Sequence, residues 1–116
     1  MWAIAWVLGF EPAPPFNSGP LSGDVIQAIF DFFPGIDRNV GEFVATIRPL
    51  TEKTVIEMED LFYCAHNAVR SAQLGRPTVP QDFHPVADGG PIHERRHSLS
   101  WCLSPGCDWD DTDLST

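Results

Sequence analysis

The pentapeptide His93-Glu94-Arg95-Arg96-His97 holds the residue types best suited to chemistry in this chain of 116 residues. On a helix, histidines at i and i+4 share a face and can reach one zinc ion. A glutamate beside the first can take a proton from metal-bound water. Two features argue against that use. Both variable positions are arginine, and two cations next to a metal oppose its binding. A catalytic zinc also needs a third protein ligand, and the 19 residues after His97 supply tail aspartates but no histidine. The expectation is therefore no metal and no cofactor.

A second group lies upstream. Glu59, His66, Arg70 and Gln73 form a stripe beside the apolar face of residues 50–74. Glu59 with His66 would make a general acid–base pair, because histidine titrates near neutral pH. The competing role is a half-buried hydrogen-bonded network. Arg95 and Arg96 fall on the apolar side of their segment, and buried cations need anionic partners. Glu59 and Asp60 are the candidates. The stronger expectation is a structural network drawn from Glu59, His66, Arg70, Glu94, Arg95, Arg96, His97, Trp101, Trp109 and Asp110, with no residue assigned as catalytic. The tail Asp108-Trp109-Asp110-Asp111-Thr112-Asp113 lacks the glycine and glutamate of an EF-hand loop. Trp109 is expected to anchor it to the helices, since a large aromatic buries much area. No glycine-rich phosphate loop and no G-x-S-x-G turn occurs.

The elements that must position these residues are helical. Val55, Met58, Leu61, Phe62, Ala65, Ala68, Val69 and Ala72 recur at steps of three and four, which predicts one long central helix over residues 51–74. Thr51 is its N-cap, Gly75 suits a left-handed end and Pro77 forbids resumption. Residues 2–9 and 24–33 predict shorter helices, the second capped by Ser22 or Asp24. Residues 40–48 fit either a helix or a strand, because β-branched residues accompany helical spacing. Residues 92–103 predict the last helix, with Ile92, Leu99, Cys102 and Leu103 on one face and Glu94, His97 and Trp101 on the other. The proline-rich loop 75–91 is to be pinned by Phe83 and Val86. The expected fold is an all-α, single-domain bundle of about four helices over residues 1–116, ending in an acidic tail at 104–116.

Composition narrows the partners. A hydrophobic content of 43% with four tryptophans supports a folded chain over a disordered one. A net charge of −9 argues against nucleic acid and suits a soluble protein or a surface that meets a basic partner. No apolar run is long enough to span a membrane. Residues 1–10 lack the basic start and cleavage site of a secretion signal. Cys64, Cys102 and Cys107 are an odd, irregular set, which points to reduced thiols and a cytoplasmic location.

Several segments carry a resemblance. Glu94-Arg95-Arg96-His97-Ser98-Leu99-Ser100-Trp101, with Asp108-Trp109-Asp110-Asp111 and Thr112-Asp113, resembles the C-terminal end of an uncharacterised bacterial family, the domain of unknown function DUF4272. That family's pattern there is E-R-R-x-A-L-N-W, then W-D and T-D-T. Asp60-Leu61-Phe62-Tyr63-Cys64-Ala65-His66-Asn67-Ala68-Val69-Arg70 is similar to its D-L-x-Y-x-x-H-W-A-V-R helix. Arg48-Pro49-Leu50 and Trp2 to Gly9 also match. Ser98, Ser100 and Asn67 depart from the pattern, and His93 is not part of it. The resemblance implies the C-terminal half of a longer family, so a truncated member with a face left uncovered, for which homodimerisation is one remedy. It implies no activity. Two functions follow as expectations: a non-enzymatic protein-interaction module with an acidic surface, or a hydrolase, with or without metal, using Glu59, His66 and the His93-Glu94-His97 region.

Overall fold

The computed structural model describes residues 1–15 and 21–116, and among these the fold is all helical. Five helices follow in order: α1 Trp2–Val7, α2 Gly23–Phe32, α3 Val40–Thr46, α4 Glu52–Gln73 and α5 Gly90–Cys102, with a 3₁₀ turn at Trp109–Asp111. The segment that fitted helix or strand is α3, so the bundle has one helix more than the four expected.

Short polar side chains start three of the helices. Ser22 accepts from the Val25 amide, Asn39 from Gly41 and Thr51 from Thr54, each satisfying an amide with no partner inside its helix. Gly75 closes α4 at φ 89°, the left-handed conformation glycine adopts without strain. The last helix begins two residues earlier than its periodicity suggests. Pro91 occupies its first turn, where a missing N–H costs no helical bond. Gly89 just before it is sterically required: a Cβ there would sit 2.5 Å from the Pro85 carbonyl and 2.7 Å from Val69 Cγ1.

α5 is the element that joins the others, packing along α4 and against α1, while α2 attaches through α1. The main core unites Ala3 and Trp6 of α1, Val55, Phe62 and Val69 of α4, and Ile92 and Leu99 of α5. Phe62 and Leu99 are fully buried where the two longest helices meet. A second cluster gathers Trp2, Ala5 and Ile29 with Phe10, Phe32 and Phe33 around them. Phe43 of α3 joins its edge, in contact with Phe32 and Phe33 at centroid distances of 5.6 and 6.1 Å. The end of α1 also pairs with residues 48–50, through Arg48 N to Leu8 O at 3.2 Å and Leu50 N to Val7 O at 2.9 Å. That approach explains Gly9, whose Cβ would lie 2.6 Å from the Arg48 carbonyl.

Two expected core positions lie outside. Leu61 is 44% exposed, at the edge of the apolar stripe, and Val86 is 71% exposed. Phe83 alone of the two expected anchors packs on the core. The long loop is held by polar bonds instead: Thr78 Oγ1 donates to the Ala68 carbonyl at 2.6 Å and Gln73 Nε2 to the Pro85 carbonyl at 3.0 Å. His84 Nδ1 accepts the amides of Val86 and Ala87.

Candidate functional site

Helix α4 presents Glu59, Tyr63 and His66 to α5, and α5 answers with Arg96 and Ser100. Arg96 is 3% exposed and sits at the centre. Its Nη1 donates to His66 Nδ1 at 2.8 Å and to the Leu114 carbonyl at 2.8 Å, and its Nη2 donates to the Ser115 carbonyl at 3.0 Å. The guanidinium carbon lies 4.7 Å from the centre of the Tyr63 ring, a cation–π distance. Glu59 Oε1 stands 4.0 Å from Arg96 Nε and accepts the Ser100 hydroxyl at 2.9 Å. Arg96 Nε is a buried donor with no hydrogen bond, so the Glu59 carboxylate is its nearest electrostatic compensation.

These contacts determine the state of His66. A guanidinium only donates, so Nδ1 of His66 accepts and the proton of the neutral ring is on Nε2. Burial, then the positive charge of Arg96, then His93 and Arg70 push the His66 pKa down to about 4. At neutral pH the ring is an uncharged acceptor. Glu59 and His66 are bridged by Arg96 and do not form the direct acid–base pair that their spacing on α4 suggests.

His66 also begins a row of rings. Its centroid is 5.1 Å from that of His93, and His93 is 6.1 Å from His97, both edge to face. His97 stacks on Trp109 at 3.8 Å and 24°. Its Nε2 donates to the Trp109 carbonyl at 2.8 Å, which commits that nitrogen to a proton. Trp101 closes the row: it meets Trp109 edge-on at 5.7 Å and donates to the Cys107 carbonyl at 3.0 Å. Residues 107–115 are thereby held against α5 by ring stacking and by backbone carbonyls.

The ten residues singled out from the sequence therefore divide. Glu59, His66 and Arg96 meet, and His97, Trp101 and Trp109 meet. Arg70 turns away, donating to Gln73 at 2.7 Å. Glu94 is exposed beside His93, 3.6 Å from its Nδ1, and Asp110 is exposed. Arg95 points to the other side of α5, toward Trp2 and the Pro15 carbonyl. Asp60, expected as a partner of the arginines, is exposed and makes no ion pair with them among the described residues. Sequence reasoning missed Tyr63 and Ser100, and it missed the Leu114 and Ser115 carbonyls, because backbone acceptors leave no mark on residue type. Among the described residues, no three His, Cys, Asp or Glu side chains are placed to hold a metal ion.

The His66-Asn67-Ala68-Val69-Arg70 stretch of α4 and the Glu94-Arg95-Arg96 stretch of α5 that packs on it both carry the family resemblance. The family model described as a domain of unknown function, DUF4272, matches residues 1–112. The chain belongs to that family. The match takes in essentially the whole chain, and the expectation of a C-terminal half of DUF4272 is not borne out. No curated protein matches the chain, nor does any solved structure. Within this DUF4272 domain no helix of the described residues is long and apolar enough to cross a membrane.

Proposed function

We propose that residues 1–116 act as one non-enzymatic protein-interaction module whose partner binds the α2–α3 arm. The observation that carries this reading is the apolar surface left open there. Ile26 and Phe30 of α2 are 38% and 60% exposed, Ile36 between the helices is fully exposed, and Val40 and Val44 of α3 are 66% and 57% exposed. Isolated exposed apolar residues are ordinary; a group on two adjoining helices marks an interaction surface. Asp24, Asp31, Asp37 and Glu42 stand among them against a single Arg38, which favours a partner that is apolar at its centre and basic at its rim. The groups around Arg96 bond mainly to one another, with only its Nε left without a hydrogen bond, in keeping with a structural role. A cytoplasmic setting agrees with the free Cys64, Cys102 and Cys107.

The test is Phe30→Glu beside Val44→Glu in co-purification and sedimentation. Both side chains are exposed, so melting temperature should hold within the small range of surface changes, about 0.5 kcal/mol. A basic partner retained by the unaltered chain, released by either variant and weakened by salt supports the reading. If the retained species is a second copy of the chain, the arm is a homodimer interface. Retention that ignores both variants, or none at all, refutes it.

One observation favours a second reading, a hydrolase: His66 and His93 come from different helices and their rings adjoin. His66→Gln and His93→Gln would each abolish ester or amide hydrolysis if that reading held. Its weakness is chemical, since a histidine with a pKa near 4 is a feeble base at neutral pH.

A further inference from the structure

On the opposite side of α5 from the Arg96 cluster lies a cavity of about 420 Å³, lined by Trp2, Ile4, Leu21, Pro91, Arg95 and Trp109 among others. Its size lies in the range of small-molecule sites, and its walls are mainly apolar and aromatic. The polar side chains among them are Glu94, Arg95 and Ser98, and of these Arg95 is the buried charge. This residue is 7% exposed, and its charge has no carboxylate partner: the ion pairs among the described residues involve Lys53, His93 and Arg96. Its guanidinium donates to the Pro15 carbonyl and lies 5.3 Å from the centre of a Trp2 ring. A guanidinium carries five N–H donors, and among the described residues only Nη1 is engaged. Burial lowers its pKa. Its neighbour Arg96 shows the contrast, with Glu59 at 4.0 Å.

We propose that this cavity is a binding site for a small amphipathic monocarboxylate, its apolar body between Trp2, Ile4 and Trp109 and its carboxylate on Arg95. A buried, unpaired cation in an apolar wall gains most from an anion that brings its own apolar surface. The planar guanidinium matches a carboxylate through two parallel bonds. Glu94 also borders the cavity, but its side chain is 70% exposed and leans to His93. It stands at the mouth and disfavours a ligand with a second negative charge.

Calorimetric titration of the full chain with octanoate and with octan-1-ol tests the assignment. The two probes share an apolar body and differ in the charged head. Octanoate should bind about tenfold or more tightly than the alcohol, the usual worth of a charge-assisted bond. Ile4→Trp, which fills the cavity from a half-buried position, should abolish octanoate binding while the unfolding transition is kept. No binding of octanoate at millimolar concentration overturns the proposal. So does equal binding of the alcohol, which means that Arg95 does not read the head group. Unchanged octanoate binding in Ile4→Trp overturns it too, by locating the ligand elsewhere, such as the open α2–α3 surface. The ratio between the two probes is measured on the unaltered protein, so it decides even if Ile4→Trp unfolds.

Discussion

Acidification should destabilise this protein through His66. The ring is 5% exposed and accepts a hydrogen bond from Arg96 through Nδ1 at 2.8 Å. Protonation would place a second cation against the guanidinium and remove the lone pair that receives its bond. The native pKa is accordingly about 4 against 6.5 for the free side chain. A group whose native pKa lies below its unfolded value binds its proton more readily when unfolded, so stability is complete above about pH 6.5 and falls as pH drops toward 4. The full difference is worth about 3 kcal/mol, at 1.36 kcal/mol per pKa unit, and about 2 kcal/mol of it is lost between about pH 7.5 and 5. Such a loss is a large fraction of the stability of a small domain.

Urea unfolding at a series of pH values measures this slope, with His66→Gln as the reference. A glutamine side chain offers Arg96 a carbonyl acceptor and does not titrate. The variant should be less stable than the native chain at pH 7.5, because its fit in the core is imperfect, yet its stability should change far less down to pH 5. The difference between the two curves isolates His66 from the other histidines. Parallel curves would refute the reasoning, since they would mean that His66 is protonated equally in the native and unfolded chains.

Three further outcomes follow from packing. Leu99→Ala should cost about 2–5 kcal/mol by thermal or urea unfolding, because Leu99 is fully buried, whereas Leu61→Ala should stay within about 0.5 kcal/mol. Gly89→Ala should cost about 1–3 kcal/mol, because the added methyl meets the Pro85 carbonyl at 2.5 Å; an unchanged melting temperature would show that the loop yields freely. Trp109→Ala removes the ring stacked on His97 at 3.8 Å and should raise amide hydrogen exchange over residues 107–115 while α4 stays protected.

How much of this was readable beforehand depends on the distance over which each interaction acts. The body of α4 was legible because its determinants are local: an apolar period, the Thr51 hydroxyl on the Thr54 amide at 3.3 Å and a glycine at the end. The start of α5 was hidden, since Gly89-Gly90-Pro91 reads as a breaker although proline is harmless in a first turn. Burial of both arginines followed from the same local period. Their partners did not. Leu114 and Ser115 lie 18 and 19 residues beyond Arg96 and offer only carbonyls, and the meeting of His66 with His93 depends on how two helices cross. Acidic residues of the tail drew attention as possible ligands, while its backbone and Trp109 make the contacts.

The two arginines illustrate why the interior of so small a chain has two different polar regions. Consecutive residues of a helix point about 100° apart, so α5, packed between α1 and α4, must send Arg95 and Arg96 to different neighbours. Arg96 faces α4 and is enclosed by groups of its own chain: a carboxylate, an imidazole, a phenol ring and two carbonyls. Arg95 faces α1, where the walls are apolar, and its cation is left with one carbonyl and one indole face. An arginine kept buried only for packing area could be replaced by a long apolar residue without an ionic loss. Arg95→Met separates the two roles: unchanged or increased stability would mean that the charge contributes nothing to folding, and leave anion recognition as the use that accounts for it.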